Sequence, residues 1–286
     1  MSASDARAAS GPAPLAPGDD EAGFAALTEK IARDRDFACG SYKEKCLRRR
    51  IAVRMRARGV HSYREYIGLL DHDPAEYGPL IDALTINVTK LFRNWETYDA
   101  IARQVVPALW ALPAPALRAW SAGCASGEEP YSIAALFHRH AELRGEGARA
   151  GRVRVLGTDI DRASLDAAAE GAYEPASFAD TPPELRARYF TGESPARVVP
   201  ELRALVAFER RDLLREPPPA GGLHLLACRN VIIYFDRPTQ EALFERFHAA
   251  LLPGAFLVLG KVETLLGRTR GLFAPVNARE RIFRRL

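Results

Sequence analysis

The stretch Trp120 to Ser132, W-S-A-G-C-A-S-G-E-E-P-Y-S, most narrows the folds open to this chain of 286 residues. An apolar, strand-like run from Leu117 to Ser121 leads into it, and an amphipathic, helix-like run leaves it. Gly123 and Gly127 allow a tight turn with close backbone approach, and Pro130 falls in a first helical turn, where a missing N–H is tolerated. A strand, a glycine turn and a helix N-terminus together present backbone N–H groups to a carboxylate or a phosphate. The same turn also serves packing alone in many αβ proteins, so its meaning depends on the remainder of the chain.

Beyond this loop, short apolar, β-rich runs alternate with helical ones. Glu128 to Leu143 reads as a helix with Ile133, Leu136, Phe137 and His140 close to one face, and Arg152 to Ile160 as a strand ending in Asp159. Asp161 caps a helix through Ala169, and Pro182 to Tyr189 is a further helix. Strand material in Arg197 to Glu209 runs out at Asp212-Leu213, and the buried strand Leu223 to Cys228 is followed by Arg229-Asn230. The helix Pro238 to Leu252 and the strands Ala255 to Leu259 and Ile282 to Arg284 complete the chain. Such alternation predicts an α/β, doubly wound parallel sheet.

The first third is different. Residues 1–20 are Ala, Ser, Pro and Gly without apolar periodicity and read as a disordered tail. Phe24, Leu27 and Ile31 recur at helical spacing, and a helix from about Tyr42 to Arg58 carries Leu47, Ile51 and Met55 on one line as its core stripe. Ser62-Tyr-Arg-Glu65 is a capping box opening a helix through Leu70, and Pro74 to Leu84 reads as another. Residues 21–84 therefore form a small all-α domain, 85–95 a linker, and 96–286 the α/β domain. Asn94 is placed to cap the helix that runs towards Trp110.

Net charge is +4, but Ser41 to Arg58 holds eight Lys or Arg against the single acid Glu44, which asks for an acidic partner. With the core stripe inward, Lys45, Arg49 and Arg56 project from nearly the opposite side. No apolar run is long enough to span a bilayer and no secretory h-region is visible. Cys39, Cys46, Cys124 and Cys228 are scattered and the six histidines lack partner spacing, so neither a metal site nor a disulfide framework is expected, and a reducing cytoplasm is.

In an open α/β sheet a ligand lies beyond the carboxyl ends of the strands. Asp159, at the end of the second strand, is placed to accept both hydroxyls of a ribose, and Asp212 suits an adenine amino group. The glycine loop lacks both dinucleotide and triphosphate fingerprints. A nucleoside with a small zwitterionic tail fits better, its carboxylate on the loop amides and its cationic centre near Glu128 or Glu129. S-adenosylmethionine has that make-up.

Four motifs, W-S-A-G-C-A-S-G-E-E-P-Y-S, G-T-D-I-D, C-R-N-V-I-I-Y-F-D and N-V-T-K-L-F-R, together resemble the chemotaxis receptor methyltransferase (CheR) family over about residues 22–286. The resemblance implies a class I S-adenosylmethionine-dependent methyltransferase fold, a Rossmann-like sheet with an antiparallel C-terminal strand. It also implies the small all-α domain in front and a small β-subdomain inserted at about residues 188–210. The activity it implies is methyl transfer from S-adenosylmethionine to glutamate side chains of chemoreceptors, giving S-adenosylhomocysteine, in chemotactic signal transduction. By similarity, Asn87, Thr89 and Arg93 reach over the cofactor. Glu128 or Glu129, Asp159, Asp212, Leu213, Arg229 and Asn230 line it, and Tyr234 lies close to the transferred methyl. Departures from the pattern are Thr89-Lys-Leu-Phe-Arg93 for T-x-F-F-R, Asp212 for Asn, and Gly260-Lys261-Val-Glu263 for G-H-S-E. The run between Phe190 and Val198 is short for the β-subdomain with which some members hold a receptor's C-terminal peptide.

A glutamate, with a pKa of about 4.3, is already a nucleophile at pH 7. Catalysis then needs positioning and exclusion of water, with Tyr234 and Arg229 as orienting groups. Lys45, Arg49 and Arg56 are expected to dock glutamate-rich receptor helices, with no nucleic acid, no membrane insertion and a monomeric enzyme. The competing readings are a nucleic-acid methyltransferase, against which R-N-V-I-I-Y-F offers no base clamp, and a non-catalytic cofactor sensor.

Overall fold

The computed structural model describes residues 17–85 and 88–286. Two compact units divide the chain, Met1–Thr85 and Ile86–Leu286. Residues 1–16 of the expected tail lie outside the described residues, whereas Pro17 already begins a helix. Proline is tolerated at a first helical position, where its missing N–H has no partner in the helix.

The first unit holds helices α1 (Pro17–Arg35), α2 (Glu44–Ala57), α3 (Tyr63–His72) and α4 (Tyr77–Leu84). Leu27, Ile31, Leu47, Ile51, Tyr66, Leu70 and Leu80 close one apolar core among them. Ser62 and Glu65 form a reciprocal capping box at α3, the Ser62 Oγ accepting from the Glu65 N–H and the Glu65 carboxylate from the Ser62 N–H. The basic block on α2 is not a uniform charged face. Arg54 donates through Nε and Nη2 to Glu76, both at 2.8 Å, and Arg58 and Tyr66 add bonds to the same carboxylate at 2.8 and 2.9 Å. Arg50 is buried and donates to the Ala83 and Leu84 carbonyls at 3.0 and 2.7 Å, satisfying the end of α4. Arg48 pairs with Glu44 at 2.6 Å and lies over the Phe24 ring. Lys45, Arg49 and Arg56 are exposed and meet no carboxylate among the described residues.

The second unit opens with α5 (Trp95–Ala100) and α6 (Val106–Trp110), joined by a π turn over Ile101–Val105. Pro107 has no N–H to offer the previous turn, which accounts for the local widening. Asn94 does not cap α5 with its side chain. It adopts φ +60°, and its backbone carbonyl takes the Thr97 N–H at 2.8 Å.

There follow β1 (Leu117–Ala122), α7 (Glu128–Leu143), β2 (Val153–Asp159), α8 (Arg162–Glu170), β3 (Ala172–Tyr173), α9 (Pro183–Tyr189), β4 (Phe190–Thr191), β5 (Ala196–Val198), α10 (Pro200–Arg203), β6 (Val206–Arg210), β7 (Leu223–Cys228), α11 (Arg237–Ala250), β8 (Leu251–Leu259), β9 (Phe273–Asn277) and β10 (Ile282–Arg285). The main sheet runs β6-β2-β1-β7-β8-β10-β9. Pairing is parallel from β6 to β8, and β10 is antiparallel to both of its neighbours. From β1 the chain winds outward through β2 to β6, then returns to the other flank of β1 with β7. The crevice at that reversal is where an open sheet of this kind places a ligand.

A separate antiparallel sheet, β3-β5-β4, draws on residues 172–198. Residues 206–210, which the sequence groups with this subdomain, pair instead with β2 at the edge of the main sheet. Among the described residues, no helix is long and apolar enough to cross a membrane, and the four cysteines are free.

Candidate functional site

A cleft with about 430 Å³ of space opens where β1 and β7 part, lined by Val88, Thr89, Lys90, Arg93, Tyr98, Gly123, Cys124, Ala125, Glu129, Arg229, Asn230 and Val231. Its floor is the turn after β1. The Gly123 and Cys124 N–H groups both donate to the Thr158 carbonyl, at 2.8 and 2.9 Å, so the turn is stitched to the end of β2. Gly123, Ala125 and Gly127 have φ of +77°, +46° and +88°, a succession that curls the backbone back on itself. Gly123 has a further constraint, because a β-carbon there would run into Val231 on the turn after β7.

Asp159 closes the floor. Its carboxylate accepts from the Ala125 N–H at 2.8 Å and the Asp161 N–H at 3.1 Å. Asp161 performs the capping of α8, accepting from Ala163 N–H at 3.0 Å and Ser164 Oγ at 2.7 Å. Asp159 is thus released from that task and keeps lone pairs for a ligand, since a carboxylate offers about four acceptor sites. Burial pushes its pKa above the ordinary value, with the two N–H groups pulling the other way.

The two adjacent glutamates separate. Glu129 lines the cleft, takes the Ser121 hydroxyl at 2.8 Å and faces Arg229 at 3.5 Å. Glu128 is not among the lining residues, and its carboxylate takes the Ser126 hydroxyl at 2.8 Å inside the turn. Burial raises the pKa of both, opposed at Glu129 chiefly by the Arg229 charge.

Arg229 is almost wholly enclosed. Its Nη2 donates to the Arg93 carbonyl at 2.7 Å and its Nη1 to the Tyr98 hydroxyl at 3.2 Å, with the guanidinium over the Tyr98 ring. The sequence assigns this residue to orienting a substrate. In the fold it ties the segment carrying Thr89 and Arg93 to the end of β7, and its buried Nε alone has no partner among the described residues. Asn230, at φ +62°, and Val231 belong to a turn whose N–H groups converge on Glu263. That carboxylate accepts from Asn230, Val231 and Ile232 at 3.0, 2.9 and 2.9 Å and from Gly260 at 2.6 Å.

Thr89, Arg93, Glu129, Arg229 and Asn230 therefore share one cleft, with Asp159 bonded directly to its floor. Asp212 and Leu213 stand at the end of β6, outside the lining. They are linked to it through the Arg211 N–H, which donates to the Asp159 carbonyl at 2.9 Å. Tyr234 is half-buried three residues beyond Val231 and is likewise not a lining residue. Asn87 lies outside the described residues. Lys45, Arg49 and Arg56 belong to the other unit. Residues to which sequence reasoning assigned no role are Lys90, Tyr98, Val231 and Glu263. Tyr98 and Val231 carry no local signal, and Glu263 entered only as the last residue of the Gly260-Lys261-Val-Glu263 counterpart of G-H-S-E, with no task given to it.

The donor set fits S-adenosylmethionine. Asp159 has acceptor capacity for hydroxyls, and the cations and Glu129 line the same space. Among the described residues, no group of His, Cys, Asp or Glu is placed to hold a metal.

Comparison with known proteins accords with this geometry. Residues 87–282 match the CheR methyltransferase, SAM binding domain, and residues 22–85 the CheR methyltransferase, all-alpha domain. The chain is 34% identical over 249 residues to chemotaxis protein methyltransferase 2 of Pseudomonas aeruginosa, a match covering 85% of this chain and 86% of that one. It is 31% identical over 260 residues to the chemotaxis protein methyltransferase of Listeria monocytogenes, covering 91% and 96%. A 104.1 kDa protein of Rhodobacter capsulatus is 36% identical over 251 residues, and there the match spans 86% of this chain but 26% of the relative. With both of its units matched in order, and with S-adenosylmethionine as its cofactor, the chain belongs to the CheR methyltransferase family.

Proposed function

We propose that this protein is a protein-glutamate O-methyltransferase that acts in the cytoplasm on glutamate side chains of chemoreceptors. The observation that carries the reading is the charge around the cleft, where Lys90 and Arg93 stand on the lining, Arg229 faces Glu129, and Asp159 lies on the floor. Such a site favours an anionic acceptor over an amine or a base. No histidine lines it, and a carboxylate acceptor needs no general base, being ionised at neutral pH.

Bound S-adenosylmethionine supplies a methyl group on a sulfonium. Asp159 would hold the ribose hydroxyls, Glu129 the cationic part of the methionyl tail, and Asn230 with Thr89 and Arg93 the remainder of that tail. Asp212 and Leu213 extend the same wall towards the adenine. Arg229 acts by fixing the Arg93 segment against β7, and Tyr234 orients the incoming carboxylate through its hydroxyl. Catalysis then consists of alignment at roughly 3 Å and exclusion of water. The exposed Lys45, Arg49 and Arg56 on α2 offer a glutamate-rich receptor helix a complementary face.

The deciding experiment incubates the protein with methyl-labelled cofactor and receptor, then treats the product with mild base. Carboxyl methyl esters release volatile labelled methanol. Label that survives base would assign the methyl to nitrogen and overturn the reading.

A further inference from the structure

Lys90 occupies the variable position of T-x-F-F-R, where the resemblance assigns no task. Its backbone is nonetheless held rigidly. The Leu91 N–H donates to the Ser177 carbonyl at 2.9 Å, and the Phe92 N–H donates to the Ser132 Oγ at 2.8 Å. Both of the next side chains, Leu91 and Phe92, are fully buried. The lysine is thereby presented at one place on the lip of the cleft, with its side chain 43% exposed.

Its charge is also weakly spoken for. The nearest carboxylate is Asp180, at 3.7 Å, and that group already takes the Asn94 N–H at 2.8 Å. The other cations of the cleft are engaged internally, Arg93 on the Val88 carbonyl at 2.9 Å and Arg229 on the Arg93 carbonyl at 2.7 Å. Arg229 is also buried and faces Glu129 at 3.5 Å, and Arg93 is held by its carbonyl contact, so Lys90 is the half-exposed cation of the cleft whose ammonium no hydrogen bond among the described residues fixes in place.

We propose that Lys90 is a specificity-determining residue that receives the acceptor carboxylate at the mouth of the cleft. The proposal rests on the assignment of glutamate as the acceptor. An ammonium is a compact point charge on a flexible stem, so it can follow a carboxylate inward while leaving it ionised and nucleophilic. Two carboxylates visit this cleft, that of the acceptor and that of the cofactor's own tail. Partial exposure at the lip assigns Lys90 to the one that arrives from solvent on a partner protein.

The test compares wild type, Lys90→Gln and Lys90→Arg in initial-rate methylation at saturating cofactor with varied receptor, together with titration calorimetry of S-adenosylhomocysteine. Lys90→Gln is expected to lower kcat/KM for receptor roughly three- to tenfold at low salt, with the gap narrowing as salt is added. Lys90→Arg should recover most of the loss, and S-adenosylhomocysteine affinity should stay within about twofold of wild type, because a rim charge acts on the partner it meets. A wild-type kcat/KM in Lys90→Gln at low salt overturns the proposal. So does a weakening of S-adenosylhomocysteine in step with the rate, which would transfer Lys90 to the cofactor's carboxylate. If the wild type itself forms no base-labile methyl, the glutamate reading falls and the proposal with it, a result distinct from either of the others.

Discussion

A β-carbon built on Gly123 would lie 2.5 Å from Cγ2 of Val231, so the turns after β1 and β7 touch across the cleft floor with no room for a side chain. The backbone at 123 is also in the left-handed region, at φ +77°. Gly123→Ala is expected to cost about 1–3 kcal/mol of stability from backbone strain and to push Val231 outward. Adding Val231→Ala should restore the steric part and leave the strain. Thermal unfolding of the single and double variants reads both, and equal midpoints for wild type and Gly123→Ala would contradict the close approach.

Asp159 gives a prediction in pH. Burial places its native pKa above the ordinary 3.8, so the native state keeps this proton to higher pH than the unfolded chain. The ionised group therefore disfavours folding above the native pKa, and that cost is relieved as pH falls through it. Affinity moves oppositely, because the ionised carboxylate is the better acceptor for hydroxyls. S-adenosylhomocysteine binding should weaken on acidification in wild type, with a shallower slope in Asp159→Asn. At neutral pH, Asp159→Ala should lose about 1.5–3 kcal/mol of binding. Calorimetry across pH checks all three, and an unchanged affinity in Asp159→Ala removes this residue from the site.

Helix α2 should answer differently on its two sides. Reversing Arg49 and Arg56 to Glu is expected to lower receptor methylation strongly at low salt, while the thermal midpoint and cofactor affinity hold. Arg54→Ala should leave docking intact and cost about 1–3 kcal/mol of stability, because it strips a bidentate partner from Glu76, which is 1% exposed. Wild-type methylation by the double reversal at low salt would move docking off this helix.

Tyr234→Phe keeps the ring and removes the hydroxyl. Single-turnover rates should fall while S-adenosylhomocysteine affinity is retained. An unaltered rate would make Tyr234 a packing residue.

The sheet was legible because its strands are short apolar runs punctuated by polar residues, and Leu223–Cys228 is bounded in the sequence as it is in the fold. Asp159 stood out for the same reason, being the polar residue that ends β2. Pairwise relations were not legible. Arg50, Arg54 and Arg58 look like surface charge in a basic run, yet Glu76 and the end of α4 engage all three. The β3-β5-β4 sheet was displaced in sequence because strands of two or three residues leave no periodicity to read. Glu263 stood at a motif position in Gly260-Lys261-Val-Glu263, but nothing in sequence announces which distant N–H groups a carboxylate will collect.

That last residue has a kinetic consequence. Residues 230–232 lie outside the strands of the sheet, where amide hydrogens ordinarily exchange with solvent quickly. Here each is held by Glu263, a side chain 3% exposed, which also takes the Gly260 N–H. Deuterium uptake at these amides should be as slow as in β7, and equally slow with and without S-adenosylhomocysteine. One wall of the cleft is then finished at folding, and cofactor exchange between turnovers proceeds without rebuilding it.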